Sequence, residues 1–199
     1  MANQGPVVSP GNGGLTFVNP ILWEDLPDME IIRVDDVYYM SASSFHFSPG
    51  APILRSYNLV DWEYIGHSVP NLAEFSAQFT MDGRNAAGYV KGIWASTLKY
   101  RKSNGLFYWY GPIQGTDKTY IFTAMNPGGT WTAHPPIDNF YYDCGLLIDE
   151  NEAFYVAHGT KTIYVAQLTA DGLAEVTNRV RMSSTRGKSV LTGTFLASV

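Results

Sequence analysis

One layout recurs three times along the chain, in IIRVDDVYYMSAS, LKYRKSNGLFYWYG and LLIDENEAFYVAHG: apolar strand, polar turn, adjacent aromatic pair, strand with small residues. Tyr38-Tyr39, Phe107-Tyr108 and Phe154-Tyr155 hold equivalent places. A further strand cluster follows each copy (ILRSY, YIFTA, IYVAQ), and after the first two a Trp, Trp62 and Trp131, stands at the same remove from the aromatic pair. Fixed internal spacing implies a four-stranded meander. Units of about 40–50 residues with four strands each are the pattern of propeller blades, whose faces are buried only against neighbouring blades. The blades cover roughly residues 29–67, 92–133 and 143–178, with Ser68–Lys91 as a long insertion after the first.

The rest of the chain agrees with an all-β reading. Its apolar residues come in short β-branched and aromatic clusters, none with the 3.6-residue period of a helix. Asp35-Asp36, Ser103-Asn104-Gly105, Glu150-Asn151-Glu152 and Asp171-Gly172 separate them and supply the small polar residues that hairpins need. With 199 residues, one domain is expected. Residues 1–16, rich in Gly, Pro and Asn, read as an N-terminal strap, residues 17–180 as the propeller part, and 181–199 as an aberrant or disordered tail. The basic residues Arg179, Arg181, Arg186 and Lys188 read as solvated. A propeller usually needs four or more blades to close. Three blades imply an incomplete ring with an open face at each end, and such faces invite self-association.

Composition narrows the function. Thirteen Lys and Arg against 18 Asp and Glu give a net charge of −5, which speaks against a nucleic-acid partner. No apolar run approaches the ~18 residues of a membrane helix, and the start lacks the basic-then-apolar order of a secretory leader. An intracellular protein, or a secreted one with its leader removed, is expected. The single Cys144 cannot form an internal disulfide or a paired-cysteine metal site, and His46, His67, His134 and His158 are scattered, so neither metal nor cofactor is expected.

In a propeller the innermost strand of each blade lines a central funnel, so polar residues at blade starts are the candidates for chemistry. Asp28, in LPDMEIIRV, and Asp143, in YYDCGLLID, each precede a run of strand residues. Blade two has Gly92-Ile93-Trp94 in that place. Two carboxylates beside an indole are tools of sugar chemistry: one activates water, another gives a proton, and the ring stacks on a pyranose. Spacing alone also fits turn aspartates at Asp28 and Asp143, and a core position for Trp94.

The blocks NPILWEDLPDMEIIRVDDVYYMSASSFHFSPGAPILRSYNLVDWEYIGH, GIWASTLKY and YYDCGLLIDENEAFYVAHG resemble, in this order, the five-bladed propeller enzymes of glycoside hydrolase family 43, which are β-xylosidases and α-L-arabinofuranosidases. The resemblance runs from about Phe17 to Val176 and ends past Val180. It implies a xylo- or arabino-oligosaccharide substrate from xylan or arabinoxylan and hydrolysis with inversion. Asp28 matches the general base, with Asp25 as a nearby rival, because Met29 and Glu30 depart from the residues that commonly follow the base. Asp143 matches the carboxylate that orients the sugar and raises the pKa of the acid, while Phe45 and Trp94 match aromatic positions of the terminal-sugar pocket. The family's general acid is a Glu followed by Gly at the start of a fourth blade, and no Glu-Gly occurs in this sequence. Impaired activity is therefore expected, with Glu175 and Asp149 the first substitutes for the missing donor. A non-catalytic carbohydrate-binding or protein-interaction propeller fragment is the alternative.

Overall fold

The computed structural model describes residues 17–80, 82 and 87–184. The strap expected over 1–16 and the last part of the expected tail, 185–199, lie outside the described residues.

Among the described residues, three antiparallel meanders follow one another, as the repeat predicts. The first runs β1 (Glu30–Val34), β2 (Val37–Ser41), β3 (Gly50–Ser56) and β4 (Glu63–Val69) in that spatial order. Val34 pairs with Val37, so Asp35 and Asp36 are the whole turn; Asp35 takes a left-handed φ of 53°, which aspartate tolerates better than most residues. In the second meander the inner edge is broken in two: β5 (Gly92–Ile93) and β6 (Thr97–Arg101) pair with different stretches of β7 (Leu106–Gln114). Then come β8 (Thr119–Ala124) and β9 (Thr132–Ala133). The third contains β10 (Gly145–Ile148), β11 (Phe154–Gly159), β12 (Thr162–Leu168) and β13 (Glu175–Ser184). β13 passes Val180, so Arg181–Ser184, expected in the tail, belong to a strand paired with β12.

Why each blade carries two adjacent aromatics follows from strand alternation, which sends successive side chains to opposite faces. Tyr39 of blade one meets Phe107 of blade two edge-on at 5.1 Å, and Tyr108 meets Phe154 of blade three at 5.1 Å. Along β7, Phe107 and Trp109 enter the core shared with blade one, and Tyr108 and Tyr110 the core shared with blade three. The equally spaced tryptophans have a common task too. Trp62 donates its Nε1 to the Leu59 carbonyl and Trp131 to that of Pro127, both at 3.1 Å, closing the loop before the last strand of the unit.

The sequence reading errs on one open face. Tyr38, the other member of the first aromatic pair, lies with Met40, Leu54 and Trp62 under Ile21, Leu22 and Leu26, so the N-terminal segment covers the outer side of blade one. The Ser68–Lys91 insertion also belongs to the core. It forms two single-turn 3-10 helices, Leu72–Glu74 and Ala77–Phe79, which bury Leu72 and Phe79 between blades one and two. On blade three, Leu147 stays 48% exposed on the side away from blade two.

Candidate active site

The inner strands β1, β6 and β10 stand side by side. Glu30 of β1 accepts the Leu98 backbone N–H of β6 at 2.6 Å and pairs with Lys99, while Thr97 Oγ1 of β6 accepts the Leu146 N–H of β10 at 3.0 Å. These bonds tie the three blades together along their inner strands. Asp28 stands just before β1, Trp94 in the break just before β6 and Asp143 just before β10, so the three reach the same rim of the funnel. Phe45, in the loop between β2 and β3, is drawn to that rim by paired backbone bonds with Ile93, each 2.8 Å. Gly92 permits this approach: a Cβ there would lie 2.1 Å from the Phe45 carbonyl oxygen, and its φ is +92°.

Three of these four residues sit in the left-handed backbone region, Asp28 at φ 53°, Phe45 at 51° and Asp143 at 47°. For non-glycine residues that conformation costs on the order of 1 kcal/mol or more and persists only when the surroundings impose it. Asp28 is held by Ser43, whose main-chain N–H bonds the Pro27 carbonyl at 2.9 Å and whose hydroxyl donates to Asp28 Oδ2 at 2.8 Å. Asp28 as a residue is exposed. Asp143 is half-buried, and burial, reinforced by the negative charge of Asp28, pushes its carboxyl up to about 6. The Tyr142 hydroxyl is likewise raised by burial, then by the charges of Asp143 and Asp28, so it lies within electrostatic reach of both. Its ring meets the half-buried Trp94 edge-on at 6.3 Å, and the indole donates to the Val90 carbonyl at 3.0 Å.

Sequence reading missed Ser43 and Tyr142. Ser43 lies in a run of small residues with no motif of its own, and Tyr142 is one of several tyrosines beside a strand; only their contacts select them, Ser43 with Asp28 inside blade one and Tyr142 with Trp94 of blade two. The rival Asp25 is exposed and stands between Glu24, which accepts the Tyr64 hydroxyl of β4, and Leu26, which enters the outer cluster of blade one. Those neighbours turn toward the outer part of the blade, whereas Ser43 holds Asp28 at the rim.

Neither substitute donor joins the rim. Asp149 follows β10 at the end opposite Asp143, about 13 Å of strand away, and its Oδ1 accepts the Asn151 and Ala153 N–H groups of a hairpin turn. Glu175 starts the outermost strand of blade three, accepting Asn139 Nδ2 and the Tyr141 hydroxyl at 2.6 Å each. Among the described residues, no three His, Cys, Asp or Glu side chains are grouped to hold a metal ion. Cys144 is buried, with its thiol pushed up chiefly by burial.

Residues 17–196 match the model of glycosyl hydrolases family 43. The chain belongs to this family. The match passes Val180, so the family likeness does not end where the sequence reading stopped it. A β-xylosidase of Formosa agariphila is 33% identical over 174 residues, 87% of this chain and 28% of that protein. A non-reducing end α-L-arabinofuranosidase of Bacteroides ovatus is 32% identical over 145 residues, 71% of this chain and 26% of that one. A solved family 43 glycoside hydrolase, engineered in its active site to display both endo-xylanase and exo-arabinofuranosidase activity, matches with a TM-score of 0.76 and 46% identity, over 82% of this chain and 32% of its own. This family 43 chain thus spans about a quarter to a third of the length of these relatives.

Proposed function

We propose that the chain supplies the first three blades of a five-bladed inverting glycoside hydrolase acting on xylan- or arabinoxylan-derived sugars. Asp28 is the general base that deprotonates the attacking water. Asp143 orients the sugar and raises the pKa of the acid. Phe45 and Trp94 form walls of the sugar pocket, with Tyr142 between the indole and the carboxylates.

The observation that carries this reading is the pairing of two unlike carboxylates at one rim. Asp28 is exposed and hydrogen-bonded by Ser43, as suits a base that must meet water, while Asp143 is half-buried and pushed up to about 6 in part by the Asp28 charge. Inversion requires base and acid on opposite faces of the sugar, separated by about 6.5–9.5 Å so that water fits. No Glu-Gly occurs in this chain, and its two nearest substitutes are engaged elsewhere. Loss of a proton donor lowers turnover about 10²–10⁴-fold, so the chain by itself is impaired.

The test uses a version extended by the later blades of a relative. Asp28→Asn abolishes hydrolysis of an aryl xyloside and leaves sugar affinity nearly intact, whereas Asp25→Asn retains turnover. Activity surviving in the Asp28 variant but lost in the Asp25 variant would move the base to Asp25.

A further inference from the structure

Beside the pocket, two aromatic rings face solvent on a braced platform. Phe47 and Tyr89 are 63% and 64% exposed, and both lie against the His46 imidazole, with ring centroids at 4.5 and 4.8 Å. The separation of the two rings is bounded by these distances and falls within the span of a short oligosaccharide.

Hydrogen bonds fix His46 and the backbone that carries the two rings. His46 Nδ1 accepts the Val90 N–H at 3.2 Å, joining the loop between β2 and β3 to the end of the insertion. Ser48 Oγ accepts the Leu72 N–H at 3.0 Å, and Ser44 Oγ accepts the Ala51 N–H at 2.9 Å. Val90 also receives the Trp94 indole N–H, and Phe45, one residue before His46, pairs with Ile93. The backbone that positions Phe45 and Trp94 in the pocket therefore positions Phe47 and Tyr89 next to it. Of the other exposed rings, Tyr57 lies under the Arg55 guanidinium and Tyr64 binds Glu24.

We propose that Phe47, His46 and Tyr89 form an additional sugar subsite, which binds the neighbouring xylose units of the chain whose terminal or branch sugar occupies the pocket. This rests on the sugar-pocket reading above. Exposed aromatic faces supply apolar area to the C–H faces of a pyranose without desolvating any charge. Because His46 and the backbone beneath the rings are held in place before binding, less ordering entropy is lost when the oligosaccharide arrives.

Isothermal titration of the full 199-residue chain with xylose and with xylotetraose tests the proposal. Wild type binds xylotetraose more tightly than xylose. The double variant Phe47→Ala, Tyr89→Ala loses about tenfold in xylotetraose affinity, at unchanged xylose affinity and unchanged melting temperature. Phe47→Tyr and Tyr89→Phe, which keep the rings, retain the wild-type values. Equal affinity of wild type and double variant for xylotetraose overturns the subsite, as does a wild type that binds both sugars equally. A wild type that binds neither sugar overturns the pocket reading and the subsite with it.

Discussion

Replacing Asp143 with Asn removes a charge that the fold holds at a cost. The folded state keeps this carboxyl protonated up to about 6, against an ordinary value of 3.8, because burial and the Asp28 charge both disfavour ionisation. Between those two values the folded chain binds more protons than the unfolded one, so the contribution to stability falls as pH rises through that window and stays at its lowest above about 6. If the entire shift acted on stability, the penalty would be roughly 3 kcal/mol at neutral pH. Asp143 is only half-buried, so water screens much of this, and about 1 kcal/mol is expected. Thermal melts followed by circular dichroism read the difference. Asp143→Asn melts about 2–4 °C above wild type at pH 7 and together with it at pH 3.5. Asp28→Asn lowers the Asp143 midpoint, read by carboxyl NMR, but leaves it above the ordinary value, since burial is the larger cause. Parallel melting of wild type and Asp143→Asn across pH 3.5–7 would refute the argument.

Trp94→Ala weakens sugar binding by about 1 kcal/mol with a modest loss of melting temperature; a collapse of the melt at unchanged affinity would make the indole a core residue. Gly92→Ala drives a Cβ into the Phe45 carbonyl at 2.1 Å and forces a left-handed φ on alanine, so it costs on the order of 2 kcal/mol and lowers sugar affinity in titration. Expressed alone, the chain associates through the outer side of blade three, where Leu147 is exposed, and hydrolyses no aryl xyloside or arabinoside. Size-exclusion chromatography with an assay on the same fractions checks both, and a stable monomer with turnover would refute them.

The three meanders, their turns and the aromatic pairs were legible because each depends on residues close together in sequence. Alternation along one strand suffices to give Phe107 and Tyr108 opposite destinations. Even so, the break between β5 and β6 that frees Trp94 leaves no mark in GIWASTLKY beyond its glycine. That Ile21, Leu22 and Leu26 cover a face of blade one is not legible in the sequence, because it depends on how a segment without strand pattern folds back over the sheet.

Local pattern along the chain sets the class of fold, the order of the blades and the places of Asp28, Trp94 and Asp143 at the starts of inner strands. Tertiary structure alone decided which groups share the rim. Ser43 meets Asp28 within blade one, while Tyr142 meets Trp94 and Tyr89 meets His46 from distant parts of the chain. It also decided the chemical state of Asp143, which is half-buried and feels the charge of Asp28 from another blade. Hydrophobic periodicity is a local property of the chain, while burial and charge coupling arise only when separate blades meet.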